Sequence, residues 1–237
     1  MDKKDKIIWV TGASSGIGKE TAKEFARAGF RVASTSRRHS ILEMVNKELS
    51  SENLCVEVFA CNTASSANVE QTVKSISAVG HIDCLINNAG ITTFKLAEEN
   101  SIKEIKEIVE TNLLGAIYCI KAVLPEMIEN KGGTIVNIIS VAAEQVLKGS
   151  SAYSASKAGL LAYTDVLREE VRKYNIRIIN ILPGATYTPM WPKDILTQRG
   201  DDMMKPEEIA QLIVSAYLHD KKMITEKIII KPIVGDL

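Results

Sequence analysis

The chain has 237 residues, 46% of them hydrophobic, with 29 basic side chains against 29 acidic ones. That length suits one α/β domain of roughly 200–250 residues, and the apolar share excludes a disordered chain. The zero net charge argues against a dedicated nucleic-acid binder or a polybasic membrane-surface protein.

Four cysteines, Cys55, Cys61, Cys84 and Cys119, lie far apart in apolar runs with no C-x-x-C pair. Reduced thiols in a cytoplasmic protein are expected, and no metal site. The opening MDKKDKIIWVTG is too short for a signal peptide. No run is expected to reach the ~20 apolar residues of a membrane span.

Strands are predicted at 7–11, 31–36, 54–60, 83–87, 133–140, 176–182 and 226–231, most of them continuously apolar, as for strands buried on both faces. Helical periodicity fills 17–29, 66–78, 101–128, 153–174 and 206–219. The third opens on a Ser101/Glu104 capping box and the last on Pro206. This alternation predicts a single doubly wound domain with a seven-stranded parallel sheet and helices on both faces. Residues 184–205 show no clear period and read as a binding loop, with a substrate lid at about 186–205.

TGASSGIG (11–18) joins the first strand to the first helix, with Gly12, Gly16 and Gly18 spaced G-x-x-x-G-x-G. Glycines permit a tight turn and close approach of a phosphate, a helix N-terminus offers free N–H groups, and Ser14 and Ser15 add hydroxyls. A plain strand-to-helix turn is the bland alternative. The second strand ends in Thr35-Ser36-Arg37-Arg38. An NAD site carries an acidic residue near this place. Here Arg37 and Arg38 instead suit the 2′-phosphate of NADP(H).

Two Y-x-x-x-K matches occur, Tyr153/Lys157 and Tyr217/Lys221. Spacing cannot separate them, but context does. Tyr217 ends the last helix beside His219, whereas Tyr153 follows the fifth strand, which ends at Ser140. Sites in open α/β sheets lie beyond the carboxyl ends of strands. Reducing a carbonyl needs a proton donor, and a phenol with a cation nearby suits that task. Using the phenolate at neutral pH asks for a shift of roughly 3 units from a pKa near ~10. Ser140 is placed to hold the substrate oxygen.

Taken together these segments resemble the short-chain dehydrogenase/reductase family: T-G-x-x-x-G-I-G at Thr11–Gly18, N-N-A-G at Asn87–Gly90, Asn112, Ser140, Tyr153 with Lys157, and P-G-x-x-x-T at Pro183–Thr188. The general likeness is greatest to 3-oxoacyl-acyl-carrier-protein reductase-type members. The resemblance implies an NADP(H)-dependent oxidoreductase interconverting carbonyl and alcohol. Tyr153 would be the general acid/base, Lys157 would lower its pKa and bond the nicotinamide ribose, and Asn112 would relay protons through a water at a helix distortion. Ser14, Ser15, Gly16, Ile17 and Gly18 would hold phosphate. Asn87, Asn88, Ala89 and Gly90 would line the adenosine ribose and steady the sheet, and Pro183, Gly184 and Thr188 would flank the nicotinamide.

One departure is Asn62, where an Asp normally accepts from the adenine amino group. Its amide oxygen still offers an acceptor. Phe94, the 141–148 loop, Met190, Trp191, Met203 and Met204 are expected around a small carbonyl substrate. The small residues of the 153–174 helix suit close packing, and the resemblance implies a homodimer or homotetramer through helices 101–128 and 153–174. A catalytically silent NADP-binding sensor or scaffold on the same fold is the competing reading, against which the full Asn112, Ser140, Tyr153 and Lys157 set speaks.

Overall fold

The β-branched runs pair as seven parallel strands: β1 Lys6–Thr11, β2 Arg31–Ser36, β3 Val56–Ala60, β4 His81–Asn87, β5 Gly133–Ile138, β6 Ile176–Pro183 and β7 Lys227–Ile230. The coordinates are a computed structural model that describes residues 5–235 apart from 53, 55 and 220–222. The strand order is β3-β2-β1-β4-β5-β6-β7, so the chain reverses direction across the sheet between β1 and β4, where such folds open a crevice. Successive side chains enter opposite layers. Ile8, Val10 and Ile86 join one core with Phe25 and Ile213, while Trp9, Leu85 and Ile135 join the other with Cys119 and Leu167. This two-sided burial explains the nearly unbroken apolar strands.

The helices are α1 Gly16–Arg27, α2 His39–Ser51, α3 Ser66–Ser77, α4 Ile102–Val109, α5 Gly115–Glu129, α6 Ser151–Val171, α7 Lys193–Arg199 and α8 Pro206–Leu218. Two of them were not anticipated. Helix α2 did carry a signal, since its buried Leu42, Val45 and Leu49 have helical spacing. Helix α7 buries no residue, so it imprints no period on the sequence. The capping box at Ser101/Glu104 and Pro206 at the first turn of α8 are both present.

The expected helix 101–128 is interrupted by a π-helical turn at Glu110–Leu114, centred on Asn112. The segment Ile102–Glu129 is, by length and mean hydropathy, apolar enough to cross a membrane, contrary to the sequence expectation. Its apolar side is spent on the sheet, with Cys119, Ile120, Val123 and Met127 buried there. Strand β5 ends at Ile138 rather than 140, although the Ile139 N–H still donates to the Ile181 carbonyl at 2.8 Å.

Asn87, Asn137 and Asn180 are neighbours in register on β4, β5 and β6. Asn87 Nδ2 donates to Asn137 Oδ1 (3.0 Å), Asn137 Nδ2 to Asn180 Oδ1 (3.1 Å) and Asn180 Nδ2 to Asp165 Oδ1 on α6 (3.1 Å). This buried ladder ties three strands and α6 together just before the strands end. The second Y-x-x-x-K match dissolves into core. The Tyr217 ring packs edge-on against Phe25 and Phe30, and its hydroxyl donates to Asp83 Oδ2 at 2.7 Å; Lys221 lies outside the described residues. Cys61, Cys84 and Cys119 are free and buried, with burial pushing each thiol pKa up; Cys55 also lies outside the described residues.

Candidate active site

The turns following β1, β2, β4, β5 and β6 enclose a cavity of about 580 Å³ at the carboxyl ends of the strands. A wider depression of about 980 Å³ lies at the amino ends, lined by Lys6, His81 and Arg177 among others. Its cations serve the fold: Lys6 pairs with Asp83 at 2.8 Å, and Arg177 donates to Thr134 Oγ1 and to the Tyr217 carbonyl.

The phosphate turn forms part of the first cavity's wall. Gly12 and Gly16 adopt left-handed φ of +65° and +55°, which strains any residue with a Cβ. Space is equally short. A Cβ on Gly12 would stand 2.8 Å from Ala89 Cα, and one on Gly18 2.3 Å from Asn88 Nδ2. Gly18 therefore serves packing of the 88–89 segment and does not line the cavity, whereas Gly12, Ser14, Ser15, Gly16 and Ile17 do. Ser15 caps α1 without a side-chain hydrogen bond, so the first turn of α1 keeps N–H groups open for an anion.

Asn88, Ala89 and Gly90 also border the cavity. Asn88 is a clasp, however, with Nδ2 donating to the carbonyls of Thr11 (3.0 Å) and Gly12 (3.2 Å). The sequence reading missed the partner of this segment. Thr11 Oγ1 accepts from the backbone N–H groups of Asn88 and Ala89 at 3.0 and 3.1 Å.

Arg37 and Arg38 both reach the cavity. The Arg38 guanidinium donates to Ser14 Oγ at 3.0 Å, joining the loop after β2 to the phosphate turn. Asn62 is not brought in. It is exposed, its Oδ1 accepts from the Ala64 N–H at 3.3 Å, and its own N–H donates to Asn68 Oδ1 at 2.6 Å. Its neighbours Cys61 and Thr63 line the cavity instead.

The chemistry-bearing residues converge where β5 ends. Ser140 opens a short 3-10 turn, with Oγ accepting from the Ala142 N–H at 3.1 Å. The same side chain hydrogen-bonds the Tyr153 phenol. Tyr153 and Lys157 lie one turn apart on α6, with Lys157 Nζ 5.8 Å from the Tyr153 ring centroid. Lys157 is only 4% exposed and Nζ donates to the Ile138 carbonyl at 2.7 Å. Burial pushes the Lys157 pKa down to about 8. Burial also pushes the Tyr153 phenol up, with the Ser140 hydrogen bond acting against it. The phenol is therefore not lowered as the sequence led us to expect, because desolvation outweighs the Ser140 hydrogen bond.

Asn112 does not border the cavity. Its Oδ1 accepts from the Ile91 N–H at 2.8 Å, and its Nδ2 donates to the Ile91 carbonyl at 2.9 Å and to Ser156 Oγ at 3.1 Å. A Cβ placed on Gly90 would lie 3.4 Å from Asn112 Oδ1 and 3.7 Å from Lys157 Nζ, so the two side chains approach one another behind Gly90. The side chain of Asn112 is fully engaged in structure.

Pro183, Gly184 and Thr188 line the far wall, and Thr188 also touches the phosphate turn, its Cγ2 3.0 Å from a Cβ built on Gly16. Phe94, Leu147, Met190 and Trp191 form the apolar mouth, whereas Met203 and Met204 turn into the fold. Ser150, three residues before Tyr153, is a buried cavity-lining hydroxyl that no motif disclosed.

The family model described as short chain dehydrogenase matches residues 6–198. A sepiapterin reductase from Chlorobaculum tepidum is 35% identical, the match covering 98% of each chain. Among solved structures, an alcohol dehydrogenase from Thermococcus sibiricus complexed with 5-hydroxy-NADP superposes with TM-score 0.87 at 27% identity, over 98% of each chain. An actinorhodin polyketide ketoreductase with NADPH gives TM-score 0.89 at 27% identity, covering 100% of this chain and 99% of that one. With the strand order, the phosphate turn and the Ser140–Tyr153–Lys157 cluster in place, the chain belongs to the short-chain dehydrogenase family of oxidoreductases.

Proposed function

We propose that the protein is an NADP(H)-dependent carbonyl reductase, able to run in reverse as an alcohol dehydrogenase. The observation that carries this is the convergence of the Ser140 hydroxyl, the Tyr153 phenol and the Lys157 ammonium on one cavity wall.

The residues fit the dinucleotide. The uncapped first turn of α1, at Ser15–Ile17, suits the pyrophosphate. Arg37 and Arg38 suit a 2′-phosphate, with Arg38 already oriented by Ser14. Asn88, Ala89 and Gly90 wall the ribose side, and Pro183, Gly184 and Thr188 the nicotinamide side. When bound, NADPH supplies the hydride. The solved structures holding 5-hydroxy-NADP and NADPH, and a relative named for reductase activity, support the same reading.

Ser140 holds the carbonyl oxygen, and Tyr153 donates the proton as negative charge develops on it. The raised phenol pKa keeps that proton in place before reaction. Lys157, at about 8, is mostly an ammonium at neutral pH and stabilises the phenolate left behind. Asn112 ties the π-helical turn to Ile91 and to Ser156, the residue before Lys157, and so helps to position the lysine.

The test is NADPH and NADH oxidation over a panel of ketones, aldehydes and diketones. NADPH should be used with a KM at least about tenfold below that of NADH, the discrimination one charged clamp gives. Equal use of NADH, or no turnover with any carbonyl, overturns the reading.

A further inference from the structure

The depression of about 980 Å³ at the amino ends of the strands has no part in the proposed chemistry. Its volume lies at the upper end of the roughly 300–1,000 Å³ that small-molecule sites span. Five lysines and arginines line it, against one carboxylate among the described residues, Asp83. Three of the cations are answered. Lys6 pairs with Asp83 at 2.8 Å, Arg168 with Asp165 at 3.0 Å, and Arg172 with Glu169 (2.6 Å) and Glu226 (3.0 Å). The other two, Lys131 and Arg177, have no acidic partner among the described residues.

Arg177 is half-buried and held in place by neutral groups. Its Nε and Nη2 donate to Thr134 Oγ1 at 3.1 and 2.8 Å, and Nη2 also to the Tyr217 carbonyl at 2.9 Å. The guanidinium carbon lies 5.5 Å from the Tyr217 ring centroid. These bonds fix the fork and return no negative charge, and they leave Nη1 with hydrogen bonds to give. Asp83 is already taken by Lys6 and by the Tyr217 hydroxyl. A guanidinium oriented in advance loses little freedom on meeting an anion.

Lys131 comes from the turn that enters β5, three residues before Thr134, and Thr134 is the register partner of Arg177. It follows the C-cap residue of α5, Asn130, with a left-handed φ of +49°. Glycine usually holds that position, so the chain accepts backbone strain there and places a cation. Leu218 and Met223, 50% and 54% exposed, lie on the same wall. The depression thus offers two unanswered charges and an apolar shelf.

We propose that this depression is a second ligand site that takes an organic phosphate, with the phosphate head on Lys131 and Arg177 and the apolar body on Leu218 and Met223. A phosphate head carries close to two negative charges at neutral pH and three acceptor oxygens, which matches both cations and the free Nη1 donor. A carboxylate carries one charge and leaves one cation unanswered. The active-site cavity opens at the other ends of the same strands, so the two ligands do not compete.

Titration calorimetry of the protein loaded with one equivalent of NADP+ tests this, with hexyl phosphate, hexanoate and inorganic phosphate as probes. Hexyl phosphate should saturate one site with a Kd below about 1 mM, what a few charge-assisted hydrogen bonds supply. Hexanoate, with a similar body and one charge, should bind at least about tenfold more weakly, and inorganic phosphate, with no body, should also bind more weakly. Lys131→Gln should weaken hexyl phosphate about tenfold and leave NADP+ affinity unchanged; its side chain makes no contact that the fold needs. Arg177→Gln should weaken it at least as much, and Lys103→Gln, which removes an exposed cation of α4, should change nothing. The site is overturned by no saturable binding of hexyl phosphate, by equal affinity for hexanoate, by equal affinity for inorganic phosphate, or by an unchanged Kd in Lys131→Gln.

Discussion

Lys157 illustrates how a single residue's surroundings set its chemistry. The spacing to Tyr153 was legible in the sequence, but the consequence expected of it, a lowered phenol pKa, was not what burial produced. Desolvation acts on both groups, raising the phenol and lowering the ammonium to about 8, and nothing in a Y-x-x-x-K spacing reports desolvation. The sign for activity follows. As pH rises through about 8 the ammonium is lost, so the phenolate left after proton donation loses its stabilising charge. The rate of carbonyl reduction should therefore fall above pH ~8. A pH profile of kcat/KM that is flat between about pH 7 and pH 9 would contradict this. Ser140→Ala removes the hydroxyl that bonds Tyr153 and is proposed to hold the substrate oxygen. It should cost roughly 10²–10³ in kcat, the usual loss of one such donor, read by steady-state kinetics with the fold checked by circular dichroism.

At the scale of elements, the strand ends decide where the site forms. Strands were readable because burial on both faces leaves continuous β-branched runs. Their carboxyl-terminal polar residues were harder to interpret. Asn87 was read through a motif, and Asn137 and Asn180 carried no signal, because their meaning comes from register between strands that are distant in sequence. Asn137→Leu would leave Asn87 Nδ2 and Asn180 Oδ1 without their ladder partner. Asn180 Oδ1 would keep the Thr164 hydroxyl and Asn87 Nδ2 the Ala116 carbonyl, so the loss is of two buried hydrogen bonds worth about 0.5–1.5 kcal/mol each, and thermal unfolding should shift down by a few degrees. An unchanged Tm would show that the ladder contributes nothing. The π-helical turn was foreshadowed only as a distortion at Asn112. Asn62 illustrates the reverse case: a motif position suggested a ligand contact, but its amide oxygen is taken by the following turn.

For the molecule as a whole, alternation of strand and helix was enough for the doubly wound sheet, while assembly is written on surfaces that a sequence leaves ambiguous. Helix α6 turns Ser151, Ala155, Ala162 and Val166 outward, with Val166 62% exposed, and α4 exposes Ile102 to 69%. These faces suit pairing with a second copy. Light scattering at micromolar concentration should give a dimer or tetramer, and Val166→Asp should lower the mass; a wild-type monomer would refute the pairing.

The central claim is that Tyr153 supplies the proton in hydride transfer from NADPH. Single-turnover NADPH oxidation by wild type and Tyr153→Phe, each saturated with NADPH as verified by binding titration, tests it most directly. The account predicts unchanged NADPH affinity and a reduction step slower by roughly 10²–10⁴ in the variant. Equal rates for the two proteins would contradict it.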